Sequence, residues 1–196
     1  MCGRYLFDPL TGELDEYWKI IRNVAEKQKQ YEVDEVATGD VYPSNKVLTL
    51  GSNKNGQVVP GVTKWGFTGY KKGQLFINAR AESVEEKNTF SKPFREQRCI
   101  FPMTGFYEWS SVKKKFLFTN DGNTMYVAGF YRMHKNVAES IIMTTEPNKA
   151  VSSVHDRMPL IVDKKDIDKW VLDLDFAREY LKRDMDKFEN LKVKSA

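Results

Sequence analysis

Short apolar segments separated by frequent turn signals constrain the fold of this chain more than any other feature. Asn53-Lys54-Asn55-Gly56 is a hairpin signal between two of these segments. Several short strands joined by turns indicate a meandering antiparallel β core rather than alternating strands and helices. The predicted strands span 47–50, 58–62, 75–77, 100–109, 115–119, 125–131, 140–144 and 159–162.

Helical patterns lie at both ends of this β core. Leu14, Trp18, Ile21 and Ala25 fall at helical spacing, which predicts a helix over 13–30. The remaining predictions are a short strand over 2–7, a loop over 38–44, helical pieces over 82–87 and 93–97, a loop or helical segment over 147–155, a helix over 163–172 capped by Asp163, and a helix over about 175–188.

The 196 residues contain no visible linker or repeat, so we expect one α+β domain over 1–196. No apolar run approaches 18 residues, and no signal-peptide pattern is present, so we expect neither a membrane partner nor secretion. Cys2 and Cys99 are too few for a disulfide framework, which favours a reducing cytoplasm. Two Cys and two His without ligand spacing predict no metal site. The net charge of +4 permits a nucleic-acid partner without requiring one.

Cys2 directly follows the initiator methionine. If Met1 is removed, Cys2 carries a free α-amine, with a pKa of about 7.7–8.0, and a thiol, with a pKa of about 8.5. An aldehyde would form a Schiff base with the amine, and the thiolate would then close a five-membered thiazolidine ring. Cys2 could instead attack an amide carbonyl, or simply be a small buried hydrophobe. Cys99 lies in an apolar stretch and is interpreted as a core residue.

Three other polar sites each allow a functional and a structural interpretation. Asn78 could orient a nucleophile and Arg80 could grip a phosphate, or the two could be a turn residue and a surface residue. Glu108 lies within the aromatic run 105–109, where alternation places Phe106 and Glu108 on one face. That face is either solvated or apolar, and an apolar site would raise the pKa of Glu108. His155 suits acid–base chemistry near pH 7 but could be structural.

Five segments in this order together resemble the SRAP family, which is named for SOS-response-associated peptidases. They are Cys2-Gly3-Arg4-Tyr5, Trp65-Gly66-Phe67, Asn78-Ala79-Arg80, Gly105-Phe106-Tyr107-Glu108-Trp109 and His155-Asp156-Arg157-Met158-Pro159. The resemblance spans about 2–162. It implies a β-barrel-like α+β domain with flanking helices and a positively charged cleft. It also implies binding of single-stranded DNA and a covalent thiazolidine crosslink to abasic sites, which protects them from strand cleavage.

The resemblance implies a role for each catalytic candidate. Cys2 would be the nucleophile, and Asn78 would position its amine and the sugar. Glu108 would shuttle protons during Schiff-base formation and ring opening. His155 would stabilise or protonate the sugar oxygen as the deoxyribose opens to the aldehyde. The family name further implies an autopeptidase step, which here means removal of Met1 alone.

The resemblance also implies DNA contacts, with Arg4 and Arg80 at phosphates and Trp65 and Phe67 stacked on bases. Compared with the family, the loop between 109 and 116 is short and the chain ends soon after 175–188, which puts the extent of the cleft in doubt. We expect a cytoplasmic, nucleoid-associated monomer that needs no cofactor.

Two alternatives stay open. One is an N-terminal cysteine amidohydrolase or peptidase that uses Cys2 with Asn78 and His155. The other is a noncovalent single-strand binder that uses Arg4, Arg80 and Trp65.

Overall fold

The computed structural model describes residues 2–28 and 35–196. In this part of the chain the helices are α1 (Leu14–Gln28), α2 (Asn88–Glu96), α3 (Lys149–Ser152), α4 (Ile167–Leu172) and α5 (Leu174–Tyr180). The strands are β1 (Tyr5–Phe7), β2 (Gly39–Val41), β3 (Lys46–Ser52), β4 (Val58–Trp65), β5 (Phe67–Thr68), β6 (Leu75–Phe76), β7 (Asn78–Arg80), β8 (Arg98–Met103), β9 (Gly105–Trp109), β10 (Lys115–Thr119), β11 (Met125–His134), β12 (Val137–Thr145), β13 (Met158–Pro159), β14 (Ile161–Val162) and β15 (Lys192–Ser195).

Five strands close into a barrel in the order β12, β4, β3, β8, β11 and back to β12. Four of the junctions are antiparallel, and the junction between β12 and β4 is parallel, with Ser140 opposite Trp65. A ring with an odd number of strands cannot alternate direction at every junction, so one parallel pair is required. The expected α+β fold with a barrel-like core is confirmed, with this parallel pair as its one departure from an antiparallel ring.

A second sheet holds the start of the chain between two other strands. Its strand order is β15, β10, β9, β1, β2, and every pairing is antiparallel. In it Tyr5 lies opposite both Val41 and Phe106. One face of this sheet contributes buried rings such as Phe106 and Phe118, which stack with centroids 4.9 Å apart. The other face is the outer face of the sheet.

Helices cover the open sides of the barrel. The predicted apolar stripe of α1 is confirmed, because Leu14, Ile21 and Ala25 are buried. Buried Arg98 donates to the carbonyls of Trp170 and Val171 at the end of α4, and thereby satisfies groups that a helix end leaves open. Among the described helices, none combines the length and the apolar content that a bilayer crossing needs.

Several sequence-based expectations are wrong in detail. The predicted loop 38–44 contains β2, because pairing with β1 stabilises three residues that have no strand pattern of their own. Asp163 makes no side-chain capping bond, and a 3-10 turn precedes α4. The predicted helix 175–188 stops at Tyr180 and is followed by a separate 3-10 turn. Residues 29–30 of the first predicted helix lie outside the described residues.

Candidate active site around Cys2

Cys2 and Asn78 meet at the point where β1 and β7 come together. The Cys2 side chain is fully buried, and its thiol lies 3.6 Å from the carbonyl oxygen of Arg4. Asn78 is held there because β7 pairs with β12, and its Nδ2 donates to the Cys2 carbonyl at 2.9 Å. The buried Asn78 Oδ1 has no hydrogen-bond partner in the described structure. Asn78 Oδ1 is therefore available as a hydrogen-bond acceptor beside the start of β1.

Glu108 lies on the buried face of β9. Glu108 and Phe106 share this face, and both are almost completely shielded from solvent. Burial raises the pKa of Glu108 from 4.5 to about 7, although the positive α-amino group of the chain opposes the rise. The predicted alternation is confirmed, and of its two possible environments the structure shows the desolvated one.

His155 faces Glu108 from the loop that precedes β13. Its Nε2 lies 3.7 Å from Glu108 Oε2. The Nδ1 atom lies 3.0 Å from the backbone amide of Arg157, 3.2 Å from the carbonyl oxygen of Arg157 and 3.0 Å from the Asp156 carboxylate, so a donor and two acceptors surround it. Burial lowers the pKa of His155, and this outweighs the opposite effect of the exposed Asp156 carboxylate. The neutral form of the ring therefore predominates at pH 7.

The Cys2 thiol is kept protonated by its surroundings. Burial raises the pKa of the thiol well above its usual value, and the nearby charge of Glu108 raises it further. A thiol in this environment needs a base before it can attack. Glu108, with a pKa of about 7, is suited to that task.

Arg157 ties the His155 loop to the segment that follows Asn78. Its guanidinium makes two bonds to the Glu82 carboxylate, at 2.8 and 2.9 Å, and a third to the carbonyl of Thr144. A bidentate pair of this kind restricts the relative position of the two segments. No role for Arg157 was predicted, although Arg157 lies within one of the five motifs.

Arg4 points to the outer face of the sheet, away from the core. Its guanidinium lies 4.3 Å from the ring centre of Tyr42 and 5.4 Å from that of Trp109, and 3.7 Å from Asp40. Arg80 is exposed at the end of β7, two residues after Asn78. Both arginines are accessible, and their predicted phosphate contacts stay predictions. The contact between Arg4 and Tyr42 was not predicted from the sequence.

The prediction that Trp65 and Phe67 stack on bases is wrong for this structure. Both side chains are fully buried. The Trp65 indole donates to the carbonyl of Ile77 and packs on Tyr5, with ring centres 5.3 Å apart. The Phe67 ring packs edge-on against Phe130, with centres 5.7 Å apart. Neither ring offers a face to a base, because both complete the core.

The structure thus brings together Cys2, Asn78, Glu108 and His155, whose roles stay predictions. In the described ranges no group of three or more His, Cys, Asp or Glu side chains is arranged to hold a metal ion.

Comparison with known proteins places the chain among relatives of similar length. "Abasic site processing protein YoqW" of Bacillus subtilis (strain 168) is 32% identical over 200 residues, which cover 92% of this chain and 84% of that protein. "Abasic site processing protein YobE" of the same organism is 30% identical over 199 residues, which cover 92% and 86%.

A crystal structure of a protein from Bordetella bronchiseptica superposes with a TM-score of 0.75 and covers 100% of this chain and 99% of its own. At 17% identity that likeness shows the fold alone. The model of the family described as SOS response associated peptidase (SRAP) matches residues 1–195. The chain therefore belongs to the SRAP family.

Proposed function

We propose that this protein binds single-stranded DNA and, once Met1 is removed, joins Cys2 covalently to abasic sites through a thiazolidine. The observation that carries the proposal is buried Glu108, whose pKa is about 7, next to Cys2 and 3.7 Å from His155. Thiazolidine formation both donates and accepts protons, and a group with a pKa near the working pH can do both. The names of YoqW and YobE, abasic site processing proteins, support the choice of substrate.

The first step opens the sugar. An abasic deoxyribose is a cyclic hemiacetal, and its ring oxygen must gain a proton while its C1 hydroxyl loses one. In the proposal the protonated form of His155 gives a proton to the ring oxygen and becomes the neutral ring, while ionised Glu108 takes the proton from the hydroxyl. The proton that Glu108 gains at ring closure later restores the protonated His155. The C1–O bond breaks and leaves an aldehyde.

The Cys2 amine then adds to the aldehyde carbon. Glu108, now protonated, returns its proton to the departing hydroxyl, and water leaves as the carbon–nitrogen double bond forms. Asn78 holds the Cys2 carbonyl, and its open Oδ1 is an acceptor for an amine N–H. Hydrogen bonds that hold the amine in place reduce the entropic cost of its attack on the aldehyde.

Ring closure completes the bond. The thiol gives its proton to Glu108, and the sulfur adds to the same carbon as the nitrogen takes the electron pair of the double bond. The overall balance is one aldehyde and one aminothiol giving one thiazolidine and one water. Because burial keeps the thiol protonated, amine attack precedes sulfur attack in this scheme. Such a bond would shield abasic sites during the response to DNA damage.

The test is a denaturing gel with intact mass, using protein whose Met1 removal has been verified. Wild type, Cys2→Ala and Cys99→Ala are each incubated with a single strand carrying one abasic site, or the same strand with an intact base. Cys99 is the matched control because it is also fully buried. We expect a denaturation-stable band with the abasic strand for wild type and Cys99→Ala only.

A processed wild-type protein that gives no band would contradict the proposal, and peptide substrates would then be tested. Cys2→Ser sharpens the result, because its amine still forms a Schiff base but its hydroxyl does not give the stable ring. Borohydride should trap that Schiff base. If no complex is trapped while DNA binding persists, the Cys2 amine does not take part in the reaction.

A further inference from the structure

The wall of the barrel contains a cavity next to its one parallel pair of strands. The pairing of β4 with β12 places Lys64 opposite Glu139. Two residues earlier on these strands are Val62 and Val137, and both line a cavity of about 380 Å³. A volume of this size is within the range of pockets that hold small molecules. The described residues that line the cavity include none of the four side chains of the site around Cys2.

Two lysines of the lining are direct neighbours across a pair of strands. Lys46 on β3 lies opposite Lys64 on β4, and both line the cavity. Directly opposed residues on antiparallel strands share a face, with Cβ atoms about 4.5–5.5 Å apart, and like charges at such positions are destabilising. An anion between the two ammonium groups would relieve this repulsion.

The nearby carboxylates balance the two lysines unequally. Glu35 pairs with Lys46, whose ammonium has three hydrogens and keeps two for other acceptors. Glu139 lies opposite Lys64, but its carboxylate is paired with Arg132 at 2.9 Å. The ammonium of Lys64 is therefore the less neutralised of the two, and the lining carries positive charge.

Two neutral polar residues, Ser44 and Asn136, add a hydroxyl and an amide to the lining. Both have left-handed backbones, with φ of 74° and 64°. The left-handed region is uncommon for serine, and residues held there concentrate at binding and active sites. The Ser44 amide donates to the Trp65 carbonyl at 2.7 Å, which fixes the loop before β3 beside the two lysines.

We propose that this cavity binds a small organic phosphate monoester. Its phosphate lies between Lys46 and Lys64, and its organic part packs against Val62 and Val137, which give the lining apolar surface. A phosphate monoester carries about two negative charges at neutral pH and a carboxylate carries one, so the phosphate matches two ammonium groups better. Lysine also binds phosphate well as a point charge. This inference does not rest on the proposed function.

The probe for the test is phenyl phosphate, which has a phosphate and a small apolar ring. It is titrated into the whole, isotope-labelled chain while NMR follows the backbone amide signals of Val62, Lys64 and Ala138, which line the cavity. Inorganic phosphate and phenol are titrated separately, because each represents one half of the probe. An oligothymidylate without terminal phosphates is added last as a competitor.

The variant Lys46→Gln/Lys64→Gln is compared with Lys54→Gln/Lys92→Gln, which removes the same charge from exposed positions outside the cavity. We expect phenyl phosphate to bind wild type saturably and the first variant about tenfold or more weakly, because a charge-assisted hydrogen bond is lost at each lysine. The second variant should keep the affinity of wild type.

Val137→Ser tests the apolar part of the cavity at a position that is already half exposed. It should weaken phenyl phosphate about threefold, because the ring loses apolar contact, and leave inorganic phosphate unchanged.

Equal affinities of the two lysine variants for phenyl phosphate would overturn the proposal, as would a lack of saturation in wild type. Phenol that moves the same signals as strongly as phenyl phosphate would show that the phosphate is not recognised. Displacement of phenyl phosphate by the oligothymidylate would assign the cavity to a nucleic-acid strand and exclude a small ligand as its occupant.

Discussion

The two cysteines are buried equally deeply, but they lie in different surroundings. Burial raises the pKa of both thiols. Cys99 lies on β8 inside the barrel wall, where the Trp170 indole donates to its carbonyl, and burial is the cause of its shift. Cys2 lies beside Glu108, whose charge contributes to its shift. Depth of burial therefore does not distinguish the two thiols, and the nearby carboxylate does.

Glu108→Gln removes the main difference between the two regions. Without a group that can take and return protons, we expect crosslinking to slow by about 10²–10⁴-fold, the range for general acid–base catalysis. Gel time courses on abasic single strands would measure the rate. Glu146→Gln, an exposed carboxylate, is the control. A Glu108→Gln rate within a factor of three of wild type would show that the carboxylate does not act on Cys2.

The same carboxylate should make stability depend on pH. Because the folded pKa of Glu108 is raised from 4.5 to about 7, the folded state holds the proton more tightly than the unfolded state. Wild type should therefore lose stability relative to Glu108→Gln as pH rises from 4.5 to 7, by up to about 3 kcal/mol, with no further loss from this group above that range.

Urea unfolding of both proteins at pH 4.5, 6 and 8 measures this difference. A constant gap between the two proteins across these pH values would mean that Glu108 is not desolvated in solution.

Asn78→Ala tests whether Asn78 positions the Cys2 amine, rather than whether it transfers protons. It removes the bond to the Cys2 carbonyl and the open Oδ1 acceptor, each worth about 1 kcal/mol. We expect crosslinking to slow about tenfold at saturating DNA, with little change in DNA affinity. A loss of affinity with an unchanged saturated rate would show instead that Asn78 binds DNA.

Cys99→Ala should have the smallest effect on activity. It trims a sulfur from the barrel wall, which should lower stability by about 1 kcal/mol and leave the crosslinking rate unchanged. Thermal unfolding and the same gel measure the two quantities. A slowed crosslink in a folded Cys99→Ala protein would contradict the view that the two cysteines act independently.

Local patterns in the sequence predicted which residues share a face. Alternation in β9 placed Phe106 and Glu108 on one face, but it left open whether that face is solvated or apolar, and only the structure shows that it is buried. The apolar stripe on α1 was predicted for the same reason. The regular spacing of side chains along a helix or a strand shows which residues share a face.

Features that depend on distant pairing were not predictable from such periods. The sequence around Trp65 and Phe67 does not say whether their side chains meet solvent or core. The bond from the Trp65 indole to the Ile77 carbonyl depends on how β6 and β7 return to the barrel. Likewise β15 is a strand because β10 offers it an edge, and its own residues Lys192–Ser195 are mostly polar and exposed.

The first strand, β1, pairs with β9, which lies far along the chain. The start of the chain leaves the ribosome first, but its partner strand β9 is made about 100 residues later. At about 5–20 residues per second, the first residues wait roughly 5–20 s before that neighbour exists. Cys2 is fully enclosed once the sheet forms. Under the proposed function, which requires removal of Met1, an aminopeptidase would have to act on the nascent chain in this interval, before the sheet encloses Cys2.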